Sequence, residues 1–232
     1  MRVIKIALVA LACACACSGA GLAAQDRSTV RGTITVSGQR DLSGVAVWLQ
    51  PLDRRTPAPA PSSRYTITQQ NKRFAPHLLI VPTGSTVDFP NLDPFFHNVF
   101  SLFDGRRFDL GLYEAGGTRS VTFPRAGVSY IFCNIHPEMS AVVVVVDSPY
   151  FASTDRQGTF AFTQVPPGRY ALRLWHDRLT AATGAVQKEI VVGAGDATLE
   201  AVALVPGDDK LSRHTNKFGL PYTPPPAGPT YK

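Results

Sequence analysis

The sequence predicts an all-β protein, and three observations carry that expectation. Apolar residues recur in short alternating runs, and no long stretch repeats every three to four residues as a helix would. Proline and glycine, 19 of each, punctuate the 232 residues and mark many turns. Apolar residues make up 44% of the chain, enough for a packed core with few charges to interrupt it.

Residues 1–24 read as a signal peptide. Arg2 and Lys5 give a basic start, residues 6–17 are apolar but short for a bilayer, and small residues lead to a cleavage point near Ala24. The expected location is therefore the periplasm or another exported compartment. Cys13, Cys15 and Cys17 leave a second reading open, a lipoprotein anchored in a membrane through an acylated cysteine, although the residues before them fit such a site poorly.

Residues 29–50 read as a hairpin: Val30, Ile34 and Val36 alternate, Ser37-Gly38 starts a turn, and Val45 and Val47 alternate again. Residues 51–63 are Pro-rich and polar, as in an extended linker. A second block covers 64–147. Leu78 to Val81 reads as a buried strand, Pro82 to Ser85 as a turn, and Thr86 to Phe89 as a half-buried strand. Val121 with Phe123 and Ser129 to Phe132 suggest two more strands. Ala141 to Val146 is apolar throughout, as a strand covered on both faces must be. Gly105-Arg106-Arg107 and Gly111-Leu112-Tyr113 read as solvated loops. In 150–204, Phe160 and Phe162 share one face, and so do Tyr170, Leu172 and Leu174. Turns fall at Asp155 to Gly158 and at Pro166-Pro167-Gly168, and 186–204 carries two further strands. Residues 206–232 form a polar, then Pro-rich tail, expected to be disordered or laid over the surface.

The net charge of +6 falls to +4 without Arg2 and Lys5, and there is no dense basic run or nucleic-acid motif. Nucleic acid is not an expected partner, and a membrane is one only if the chain is lipidated. After residue 24 one cysteine and one methionine remain, Cys133 and Met139. A lone cysteine in an oxidising compartment has no internal disulfide partner.

These two sulfurs lie six residues apart with His136 between them, and a further histidine, His97, stands upstream in Pro94-Phe95-Phe96-His97-Asn98-Val99. Singly, each has an ordinary structural explanation: a packed histidine, a core methionine, an inert thiol. Jointly, His97, Cys133, His136 and Met139 offer two imidazoles, a thiolate and a weak axial thioether, the donor set of a blue copper site. Glu138 in place of Met139 would give a harder, non-blue site. The other histidines, His77, His176 and His214, form no local cluster, and no histidine adjoins Cys133 to link it to a second metal.

Residues 64–147 resemble the cupredoxin family, a Greek-key β-sandwich. The resemblance lies in Phe74-Ala75-Pro76 through Val87, in Asn91-Leu92-Asp93 with His97-Asn98-Val99, and in the C-x-x-H-x-x-M spacing, which is similar to that of amicyanin. It implies one type 1 copper on His97, Cys133, His136 and Met139, with Asn98 tying the two ligand loops together. Ile131 departs from the aromatic that the family often places there. The implied role is electron carriage to an unidentified redox partner protein rather than enzymatic catalysis; the alternative is copper delivery or storage. Similar proteins carry a methylamine-utilisation label. Residues 30–49 and 150–204 resemble the two halves of a carboxypeptidase regulatory-like (transthyretin-like) β-sandwich, through Gly32 and Leu42 to Val45, Thr154 to Phe160, and Val165 to Tyr170. The expected organisation is thus a discontinuous sandwich, 29–50 with 150–204, around a copper domain at 64–147.

Overall fold

The computed structural model describes residues 27–36, 38, 40–53, 63–102, 105–178, 186–205, 207, 211 and 214–222. The signal expected at 1–24 and most of the linker and tail lie outside the described residues. The described chain is all β. The first strands are β1 (Ser28–Val36) and β2 (Ala46–Pro51). Next come β3 (Arg64–Thr66), β4 (Thr68–Gln70), β5 (Arg73–Ala75), β6 (Leu78–Pro82), β7 (Thr86–Pro90), β8 (His97–Ser101) and β9 (Phe108–Tyr113). β10 (Thr118–Thr122), β11 (Gly127–Phe132) and β12 (Ser140–Val146) complete the middle block. The last are β13 (Phe151–Ser153), β14 (Thr159–Val165), β15 (Gly168–Trp175), β16 (Val186–Val192), β17 (Ala197–Thr198) and β18 (Val202–Leu204).

β1 lies between β14 and β17 and also pairs with β18, whereas β2 lies between β13 and β15, with β16 beyond. The hairpin expected over 29–50 is therefore not formed. β1 and β2 enter opposite sheets and face each other across one core, where Val30 and Ile34 meet Val47, Leu49, Phe160, Phe162, Tyr170 and Leu172. The physical reason is length and patterning. The connection from Val36 to Ala46 exceeds a hairpin loop, and both strands bury an alternating apolar face that a facing sheet can cover.

The middle block forms a second sandwich, with sheets β10-β7-β3 and β6-β12-β11-β8-β9 and the small hairpin β4-β5. Its core includes Val81, Phe89, Val99, Phe123, Ile131, Cys133 and Met139. β12 shows why its sequence is apolar without alternation. Ala141, Val143 and Val145 point into this core, while Val142, Val144 and Val146 pack in a separate cluster with Ala46 and Leu211, flanked by Trp48, Phe151 and Trp175. That cluster joins the two sandwiches. At the crossing into β13, Ser148 Oγ donates 2.5 Å to the Leu49 carbonyl and accepts from Tyr150 N at 3.1 Å, so this short connection is bonded to β2.

Gly111-Leu112-Tyr113 is not a loop but part of β9, with Tyr113 opposite His97 and Leu112 opposite Asn98. Gly111 at φ +69° interrupted the alternation that would have revealed the strand.

Candidate metal centre

In the five-stranded sheet β12, β11 and β8 are neighbours, and this adjacency gathers residues far apart in sequence. His97 opens β8, Cys133 follows the last residue of β11, and Met139 precedes β12. The intervening loop closes on itself: Cys133 N donates to the Met139 carbonyl at 3.3 Å, and Met139 N to the His136 carbonyl at 3.1 Å. As a result His97 Nδ1 and His136 Nδ1 stand 3.1 Å apart, with Cys133 Sγ 3.9 and 3.6 Å from them. Among the described residues this is the one set of three or more His, Cys, Asp or Glu side chains whose ligand atoms converge. His97 and Cys133 are fully buried and His136 is half-buried. Met139 is fully buried in the same core cluster as Cys133.

Asp93 fixes the role of His97. Its Oδ2 lies 2.8 Å from His97 Nε2, buried, so Nε2 carries the proton and Nδ1 presents its lone pair toward Cys133 and His136. Asp93 is held in turn by Asn71 N at 2.6 Å and Lys72 N at 2.9 Å. Burial alone would raise the Asp93 carboxyl, but these donors and His97 outweigh it and hold the group below its ordinary range. Asn91, also buried, shapes the loop: its Nδ2 donates to the Phe95 carbonyl at 2.7 Å and its Oδ1 accepts from Asp93 N at 3.1 Å. Sequence reasoning gave Asp93 no role. A carboxylate four residues before a candidate ligand histidine was the available signal.

Burial pushes the Cys133 thiol up, and the backbone N–H groups of Asn98, Ile135 and His136 partly offset this because they would stabilise a thiolate. Burial, and next the neighbouring His97, lower the His136 pKa, so this imidazole is neutral at pH 7. The Asn98 side chain does not itself cross to the Cys133 loop: Nδ2 donates 2.8 Å to Asp109, and the link to Cys133 runs through the Asn98 backbone N–H.

The donor set fits a soft or borderline first-row metal. Bonds of about 2.0–2.3 Å from one ion to two imidazole nitrogens and a thiolate need donor separations of this size. The fit is to the donors and their spacing, and copper is the metal that two imidazoles, a thiolate and a thioether favour.

The remaining histidines do meet in space. His77 Nε2 and His176 Nδ1 flank the carboxylate of Asp177 at 3.4 and 3.0 Å, and with His214 and Glu138 they line a cleft of about 640 Å³ where the two sandwiches join. Burial would raise the Asp177 carboxyl, but its two histidines hold it far below the ordinary range.

Residues 142–199 match the family described as polysaccharide lyase family 4, domain II, a span that runs from β12 to beyond β17. No curated protein sequence matches the chain. Solved structures similar to it include a purple cupredoxin from Nitrosopumilus maritimus, at 24% identity over 35% of this chain and 99% of that one, with a TM-score of 0.33. A copper-containing nitrite reductase from Thermus scotoductus SA-01 matches at 26% identity over 42% of this chain, with a TM-score of 0.35; the match spans 25% of the reductase's length. An amicyanin variant, P94A, matches at 25% identity over 35% of this chain and 81% of its own, with a TM-score of 0.34.

Proposed function

We propose that the chain is an exported, mononuclear type 1 copper protein that carries electrons between redox partners. The observation that carries this reading is the convergence of His97 Nδ1, Cys133 Sγ and His136 Nδ1 within 3.1–3.9 Å at the end of a buried sheet. His97, Cys133 and His136 would hold the copper and Met139 would supply the weak fourth sulfur. When bound, the copper supplies one-electron redox chemistry.

The chain's own residues suit that task. Asp93 keeps His97 in one tautomer, and three backbone N–H groups face the Cys133 sulfur, so the donors are set before metal arrives. With four protein donors no position is left for a substrate, which favours electron carriage over catalysis. The half-buried His136 packs against the exposed Phe95 ring, with the exposed Ile135 next to it in the chain. This apolar surface would let a redox partner approach the imidazole with little polar surface to strip of water. The sandwich built from 28–51 and 151–204 would serve as a support for the inserted copper module.

The test is a visible and EPR spectrum of the copper-loaded protein. An intense thiolate-to-copper band that Cys133→Ser abolishes supports the reading; a colourless copper-loaded wild type sinks it. Copper that loads in many equivalents without a blue band would favour storage or delivery.

A further inference from the structure

Residues 214–222 belong to none of the strands that carry the donors, yet they reach both donor segments. Tyr222 Oη donates 2.8 Å to the backbone carbonyl of Cys133, and Lys217 N donates 3.0 Å to Asn134 Oδ1. Lys217 Nζ stands 2.7 Å from Asp109 Oδ2, and Asp109 Oδ1 accepts from Asn98, the neighbour of His97. The segment is shaped for this. Asn216 Oδ1 accepts from Phe218 N at 2.9 Å and Leu220 N at 3.1 Å. The His214 ring stacks on Phe132 with centroids 4.1 Å apart and meets the Tyr222 ring edge-on at 5.2 Å. Phe132 is the residue just before Cys133, so ring packing and a hydrogen bond act on the same point of the chain.

We infer that Tyr222 is a positioning residue of the metal centre, through which the C-terminal segment holds the Cys133 loop closed and sets how readily it opens. Within the loop, two backbone hydrogen bonds close the turn from Cys133 to Met139. The Tyr222 hydroxyl adds an anchor from outside the loop, at the backbone of the one residue that carries the thiol. Opening of such a loop is a local event, distinct from global unfolding.

The copper part of the inference rests on the reading above, but the anchor can be tested without metal. Iodoacetamide labelling of the metal-free full chain is followed at Cys133, taken as the reactivity that Cys133→Ser removes. Tyr222→Phe keeps the ring and its contact with His214 and deletes only the hydroxyl. The expected result is labelling about fivefold faster, the weight of one net hydrogen bond, with little dependence on low urea. Lys217→Ala should accelerate it independently. In the copper-loaded protein Tyr222→Phe should speed copper release to excess chelator by a similar factor and shift the thiolate-to-copper band. Unchanged labelling in both variants overturns the inference. So does an acceleration that follows urea as steeply as global unfolding, because that marks general destabilisation. A wild type that takes up no copper would sink the copper reading, while labelling would still decide the role of Tyr222.

Discussion

Asp93→Asn keeps the side chain's volume and removes one acceptor and the charge. Asp93 faces three donors: Oδ1 takes Asn71 N at 2.6 Å, and Oδ2 takes both Lys72 N at 2.9 Å and His97 Nε2 at 2.8 Å. An amide offers one oxygen and one NH₂, so in either orientation at least one of these donors meets another donor. Hydrogen bonds to a charged group contribute about 1.5–3 kcal/mol each, and a stranded buried donor costs about 1–3 kcal/mol. We expect Asp93→Asn to lower the unfolding free energy of the metal-free protein in urea by about 3 kcal/mol. The metal should suffer as well. Without the carboxylate His97 is less firmly held with Nδ1 bare, and losing such a partner weakens metal binding by about 10–100-fold, read by chelator competition. The pH dependence has a defined sign. The folded carboxyl lies below its ordinary 3.8, so its stabilisation is complete above that value and is lost as pH falls through the lower folded one. The gap between wild type and variant should therefore persist to below pH 3.8 and then close. A variant with wild-type stability and wild-type metal affinity would refute the role given to Asp93.

Metal uptake at pH 7 should release about one proton, because the Cys133 thiol is raised and the His136 imidazole is neutral; calorimetry in buffers of different ionisation enthalpy measures it, and zero release would contradict a buried neutral thiol. Affinity should accordingly rise with pH up to the raised thiol value. Met139→Gln should retain copper but lower the reduction potential, since a harder axial donor favours the oxidised ion; an unchanged potential by voltammetry would remove Met139 from the site. Gly158→Ala should cost about 2 kcal/mol or more in thermal or urea unfolding. Gly158 sits at φ +78°, and a Cβ there would lie 2.3 Å from the Ile34 carbonyl oxygen, where the turn after Thr154 meets β1.

What the sequence showed and what it hid have physical causes. The approach of Cys133 and His136 was legible because both lie in one short loop, so their meeting needed little tertiary knowledge. His97 was legible as chemistry, but its contact with the others depends on β8 lying beside β11, which no local pattern states. The unbroken apolar run of β12 correctly announced two covered faces, although not that the second face would be covered by the other sandwich. The hairpin expected over 29–50 failed because alternation reports a buried face and says nothing about which strand lies alongside. Asp93 and Tyr222 escaped for a related reason. Their roles come from single hydrogen bonds, across 4 and 89 residues, and neither residue type in its local setting distinguishes a partner from a solvated group.

The packing between the sandwiches leads to a last expectation. Strand pairing joins 28–51 to the strands after residue 150 and leaves 64–146 to pair within itself, which suggests that a fragment of about 64–148 could fold and bind metal alone. The third core cluster qualifies this. Ile80, Phe100, Phe132, Val142, Val144 and Val146 lie on the face of the five-stranded sheet that Ala46, Trp48, Phe151, Trp175 and Leu211 help cover. Full burial of such side chains contributes roughly 1.5–3 kcal/mol each. Uncovering a third of that surface removes about 3–6 kcal/mol, a large part of a small domain's margin of roughly 5–15 kcal/mol. It would also leave a contiguous apolar patch of the kind that drives association. The fragment should therefore keep all four donors and take up copper, yet unfold at a lower temperature and self-associate on sedimentation. Replacing Val142 and Val144 by Thr should relieve the association more than it harms metal binding, because their side chains point away from the core that holds Cys133 and Met139. A fragment that stays monomeric and melts with the full chain would show that the junction contributes nothing to the middle sandwich.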